Sequence, residues 1–158
     1  MSHLRGIDRL IQDAPAFAGL QPYQLKLVAG CAVNEHVRAG TLIAREGDAA
    51  DRFFLIRAGQ VALQLDVPGR GELTLQTMHA GEIVGWAWLF APYRWQHDAR
   101  ATADCQLTAF DGACLRGKCE TDHELGYALM GRFAASLAET LHATQLQLLD
   151  VYGRAYAR

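Results

Sequence analysis

The chain has 158 residues, 51% hydrophobic and 20% charged, with 15 Lys+Arg against 17 Asp+Glu and a formal net charge of −2. That length is most simply one domain with a core of its own. The near-neutral balance argues against a nucleic-acid binder, which shows a basic excess or a basic face, and no apolar run approaches the ~20 residues of a membrane span.

The N-terminus, Met1-Ser2-His3-Leu4-Arg5, lacks an apolar signal core, which predicts a cytoplasmic protein. Leu4, Ile7, Leu10 and Ile11 recur at helical spacing, and Pro15 ends that segment. Pro22 suits the first turn of a second short helix, with Leu25, Leu27 and Val28 as its apolar side. From Ala32 to Asp111 the pattern changes to short strands broken by glycine. Thr41-Leu42-Ile43 and Phe53-Phe54-Leu55-Ile56 read as strands, with turns at Arg38-Ala39-Gly40, Glu46-Gly47-Asp48 and Ala58-Gly59-Gln60. Val61, Leu63 and Leu65, then Leu73 and Leu75, alternate with smaller or polar residues around a hairpin tip at Pro68-Gly69-Arg70-Gly71. Ile83-Val84, Ala99–Thr102 and Gln106–Phe110 complete the set. Many short strands at this spacing indicate a sandwich or a jelly roll.

Asp111 suits the N-cap of a short helix over Ala113–Lys118, and Thr121 or Asp122 the cap of the last element. That element runs to about Val151, with Leu125, Leu129, Phe133, Leu137, Leu141, Gln145, Leu148 and Tyr152 at three- or four-residue spacing. Roughly thirty residues make a rod of about 45 Å, longer than one small roll needs. The surplus predicts a homodimer through this helix, with Leu129, Phe133, Leu137, Leu141 and Leu148 at the interface. The alternative is that the rod packs wholly on its own roll.

The four cysteines, Cys31, Cys105, Cys114 and Cys119, show no C-x-x-C pair and read as buried or incidental thiols of a reducing compartment. The six histidines show no ligand spacing, so no metal site is expected. No nucleophile elbow, P-loop, dinucleotide fingerprint or zinc-protease motif is present, and no enzyme activity is expected. The stretch Gly81–Ala101 holds all three tryptophans within residues 86–95 and reads as a pocket mouth, with a short helix over 85–90 behind Gly85.

These marks together resemble the cyclic-nucleotide-binding domain family, in particular the sensor half of catabolite-activator-type bacterial regulators. The residues that carry the resemblance are Val37–Ile43, Glu46-Gly47-Asp48, Phe54–Val61, Gly81-Glu82-Ile83-Val84-Gly85, Arg100-Ala101 through Asp104-Cys105, and the hinge-like Leu149–Arg154. The resemblance implies an α+β fold: an eight-stranded β jelly roll with N-terminal helices, a short pocket helix and a long C-terminal dimerisation helix. One domain over 1–158 is expected: a helical N-terminus at 4–30, the roll at 32–111 and C-terminal helices at 112–153.

In that family the helix after the glycine matching Gly85 cradles a cyclic phosphate, a glutamate next to the glycine accepts from the ribose hydroxyl, and a loop arginine pairs with the phosphate. Here those two positions hold Trp86 and Trp95, with Arg94 one residue away from the arginine position. Gly85, Trp86, Ala87, Trp88, Tyr93, Arg94, Trp95 and His97, with Thr140 on the long helix, are therefore the candidate ligand residues. Three outcomes stay open: an altered pocket, residual binding of cyclic AMP or cyclic GMP, or a site filled by its own indoles. The resemblance implies no fixed cofactor; it admits a cyclic nucleotide or another flat, anionic effector. The expected function is a stand-alone regulatory sensor. The alternatives are a dimeric scaffold with a plugged pocket, or a transcription regulator without its DNA-binding half. With the chain ending at Arg158, no recognition helix is expected and no direct nucleic-acid contact.

Overall fold

The computed structural model describes residues 6–156, and side chains through Arg154. Leu4, His3 and the rest of the first five positions, like Arg158, lie outside the described residues.

The described residues open with two short helices, α1 (Ile7–Ile11) and α2 (Pro22–Ala29). Pro22 takes the first turn of α2 as expected, and Gln21 with Gln24 closes a capping box there. The roll follows as eight strands: β1 (Ala32–Val37), β2 (Leu42–Ala44), β3 (Arg52–Ala58), β4 (Gln60–Val67), β5 (Gly71–His79), β6 (Ile83–Val84), β7 (Asp98–Ala101) and β8 (Cys105–Asp111). They form two four-stranded antiparallel sheets, in the orders β1-β8-β3-β6 and β2-β7-β4-β5. Gly59 joins β3 to β4 at φ +99°, and a Cβ there would lie 2.6 Å from the Asp104 carbonyl oxygen. Only glycine fits both the angle and the space.

β3, in the middle of the first sheet, is buried on both faces, which is why Phe53-Phe54-Leu55-Ile56 reads as an unbroken apolar run. Phe53 and Leu55 turn outward beneath the helices, where Phe17, Val28, Trp88, Phe110 and Leu115 close one core. Phe54 and Ile56 turn inward, joining Val61, Leu63, Val84, Trp95, Ala99 and Leu107 in the roll interior.

Asp111 caps α3 (Gly112–Thr121), its carboxylate accepting from the Cys114 N–H at 2.9 Å. Asp122 caps α4 (His123–Tyr156) in the same way, accepting from the Leu125 N–H at 3.1 Å. At 34 residues α4 is about 51 Å long, slightly longer than the pattern predicts.

Two expectations need correction. Leu129 and Phe133 do not wait for a partner: they are 0% and 4% exposed and belong to this chain's own core. Phe133 meets both Phe53 (5.5 Å) and Trp88 (5.4 Å) edge-on. Cys31 and Cys114 are not free thiols either; they form a disulfide with Cα atoms 5.8 Å apart. Cys105 and Cys119 remain thiols, the first buried and the second half-buried, and burial raises the pKa of both.

Candidate functional site

The site begins at the turn after β5. The Gly81 N–H donates to the Ile56 carbonyl at 2.8 Å and the Ile56 N–H to the Glu82 carbonyl at 3.1 Å, which fixes Gly81–Ile83 against β3. The chain then passes Gly85 at φ +97°. The expected helix over 85–90 is a single 3₁₀ turn, Ala87–Leu89, closed by the Leu89 N–H on the Trp86 carbonyl. One such turn cannot align the row of free N–H groups and the dipole that make a helix end an anion site.

The next loop is zipped onto the turn between β2 and β3. The Trp95 N–H donates to the Asp48 carbonyl (2.9 Å), the Gly47 N–H to the Trp95 carbonyl (2.8 Å), and the Ala50 N–H to the Tyr93 carbonyl (2.7 Å). This extended pairing alternates the side chains, so Trp95 goes inward while Arg94 and Gln96 stay exposed. Trp95 is 6% exposed and packs in the roll interior near Phe54. A Cβ at Gly85 would lie 2.6 Å from its ring, so glycine here makes room for an indole.

The candidate ligand residues therefore separate. Trp95 and Ala87 are roll core. Trp88 is 1% exposed and stacked on Phe53 at 4.6 Å, beneath the helices rather than at a mouth. Trp86 is half-buried against the same core, edge-on to His97 at 5.6 Å. Arg94 is not shifted inward; its guanidinium donates to the Gly47 carbonyl at 3.3 Å. Tyr93 lies under the Arg116 guanidinium, 4.3 Å from its ring, over a shallow outer groove floored partly by Trp88. His97 buries its Nδ1 without a partner, and desolvation lowers its pKa from the ordinary 6.5 against the opposing pull of Glu46 and Asp98.

Only Thr140 lines the larger cavity, of about 440 Å³, that opens between the roll and α4. The roll contributes Gln76 and Met78 from β5 with Glu82 and Ile83 beyond it; α4 contributes Arg132, Ser136, Glu139 and Thr140. The sequence reading missed all of these but Thr140. Arg132, Ser136, Glu139, Thr140 and Ala143 share one helical face, and that spacing was the available signal. The size is that of a small-molecule site. Among the described residues no group of acidic, histidine or cysteine side chains is placed to hold a metal ion.

A two-sheet roll with this glycine-marked turn, capped by helices and closed by one long helix, is an arrangement shared with known proteins. The sequence profile of the cyclic nucleotide-binding domain matches residues 34–122. The chain belongs to that family. It is a sensor-domain family, typically non-catalytic, whose members bind small effectors.

Among solved structures, a Geobacter metallireducens protein described as a cyclic nucleotide-binding protein is 29% identical, with a TM-score of 0.78 over 86% of this chain and 98% of that one. A cyclic nucleotide-binding domain from Methylobacillus flagellatus is 17% identical, with a TM-score of 0.80 over 91% and 85%, a likeness of fold. The Thermus thermophilus catabolite activator protein is 25% identical, with a TM-score of 0.70; the match spans 87% of this chain and 63% of that longer one. No curated protein sequence matches. Among the described residues no helix is long and apolar enough to cross a membrane.

Proposed function

We propose that this domain is a regulatory sensor whose effector sits in the outer cavity between the roll and α4, not in the inner phosphate site of its family. One observation carries the reading: the cavity has the roll for one wall and α4 for the other. A ligand there touches the sensor and the readout helix together, and so has differential affinity for their two arrangements. The lining holds one cation, Arg132, against two carboxylates, Glu82 and Glu139, beside the neutral Gln76, Ser136 and Thr140. That composition favours a flat effector with hydrogen-bond donors over a strong anion.

The readout is a homodimer through α4. Tyr127, Met130, Ala134, Leu137, Leu141, Thr144, Leu148 and Val151 repeat with heptad spacing. Of these, Tyr127 is 85%, Leu141 59% and Val151 63% exposed, so one chain does not cover the seam. We place the protein in the cytoplasm.

Thermal shift with cyclic AMP, cyclic GMP, adenosine, guanosine, cyclic dinucleotides and haem tests the reading. A neutral nucleoside is expected to stabilise the protein at least as well as its cyclic phosphate, and Thr140→Leu to remove the shift. Silence from every probe on folded protein sinks the sensor reading. It would leave the second reading, a dimeric interaction protein with a plugged pocket, which the burial of Trp95 favours.

A further inference from the structure

The Cys31–Cys114 disulfide belongs to neither the cavity nor the α4 seam. It ties the junction of α2 and β1 to the first turn of α3, across 83 residues of sequence. Cys31 is 7% exposed, while Cys114 is half-buried. A surface cavity of about 330 Å³ lies over the bridge, lined by both cysteines with Gly30, Val33, Arg52 and Asp111. A sulfur reached through such a groove is open to thiolate attack; one sealed in a core is not.

α3 links this bridge to α4, to the loop that carries Trp88 and Tyr93, and to α2. Its Leu115 packs with Leu125, Leu129 and Phe133 of α4. Its Arg116 donates to the Trp88 carbonyl at 2.6 Å and covers the Tyr93 ring. Its Lys118 donates to the Leu27 carbonyl at 2.7 Å, a second, polar tie between α3 and α2.

We propose that Cys31–Cys114 is a redox-responsive site that a dithiol reductant opens through this groove, and that its covalent state sets how firmly α3 ties α4 and the 86–93 loop to the N-terminal helices. One thiolate of the reductant attacks Sγ of Cys114, the S–S bond breaks, and Cys31 leaves as a thiolate that takes a proton from water. The second thiol of the reductant, as a thiolate, then displaces Cys114, which is protonated in turn. Two electrons pass to the pair; the reductant ends as a disulfide and the two cysteines as thiols. This proposal does not depend on the cavity taking an effector.

The test uses the whole chain, equilibrated with oxidised glutathione or with dithiothreitol in the absence of denaturant. Thiols are then counted by iodoacetamide labelling and mass spectrometry after acid quenching and unfolding. The oxidised protein should label only at the two free cysteines, Cys105 and Cys119, and the reduced protein at all four. Hydrogen exchange over 112–121 and the first half of α4 should quicken by about tenfold or more on reduction. The double variant Cys31→Ser, Cys114→Ser should exchange like reduced protein under both conditions; if it does not fold, the wild-type comparison decides alone. Four labelled thiols after oxidation, a bridge that dithiothreitol leaves intact, or equal exchange in the two states overturns the proposal.

Discussion

The inner end of the roll and its outer mouth share one backbone frame and hold opposite contents. At the inner end Gly85 makes room, Trp95 fills it, and the loop that carries Trp95 is pinned by main-chain bonds to Gly47, Asp48 and Ala50. At the outer mouth the roll and α4 stand apart around about 440 Å³ lined by charged, amide and hydroxyl groups. One residue type separates the two ends. A buried arginine at position 95 would need an anion to pair with its charge, whereas a buried indole completes the core. The inner end is packed as core; under the function proposed above, recognition falls to the side that faces the helix.

Exchanging the contents of the inner end should produce the largest effect. Trp86→Glu with Trp95→Arg supplies the carboxylate and the guanidinium that the family pattern uses. Hydrogen bonds to charged groups contribute about 1.5–3 kcal/mol each, so cyclic AMP binding should tighten by roughly two to four decades. Calorimetric titration of the double variant against the parent measures this. Trp95→Ala is the control: it should cost about 3–5 kcal/mol of stability through loss of core volume, without a comparable gain in affinity. If parent and double variant bind cyclic AMP alike, the inner end is not what separates the two regions.

A smaller effect is expected at the far wall of the outer mouth. Leu141→Glu with Leu148→Glu places two charges in the uncovered seam, where the side chains are 59% and 51% exposed. The folded chain should remain intact while its dimer weakens by at least about tenfold in sedimentation. Phe133→Glu should instead unfold the chain, because that buried ring packs edge-on against both Phe53 and Trp88. A dimer unmoved by the two leucine changes would show that α4 is not the interface.

The frame was legible because its signals are local. Glycine at Gly59, the capping carboxylate of Asp111, Pro22 in a first turn and the alternation along β4 each state a backbone conformation within a few residues; the cap of α4 stayed open between Thr121 and Asp122, and the structure gives it to Asp122. What stayed hidden depends on contacts between distant segments. The period of α4 marks apolar faces but cannot tell a face covered by its own chain, such as Leu125–Leu129–Phe133, from one left bare, such as Leu141–Leu148. The three tryptophans carry no period, so only the cross-loop bonds decide that Trp95 points inward and Arg94 outward. A disulfide spanning 83 residues leaves no spacing signal at all.

The smallest effect is expected at the rim of the sealed end, from His97. Its ring meets the edge of Trp86, and its Nδ1 is buried without a hydrogen-bond partner. Desolvation holds its pKa below 6.5; the nearby Glu46 and Asp98 carboxylates only partly offset that. The unfolded chain, with an ordinary histidine, therefore binds the proton more readily than the folded one. The stability contributed by neutral His97 is present above pH 6.5 and is lost as the pH falls from there through the lowered folded value. The wild type should lose more melting temperature between pH 7.5 and pH 5 than His97→Gln does, by a few degrees at most, since the ring is partly open to water. Parallel slopes would mean that water reaches the ring freely, and that the seal around Trp95 ends before position 97.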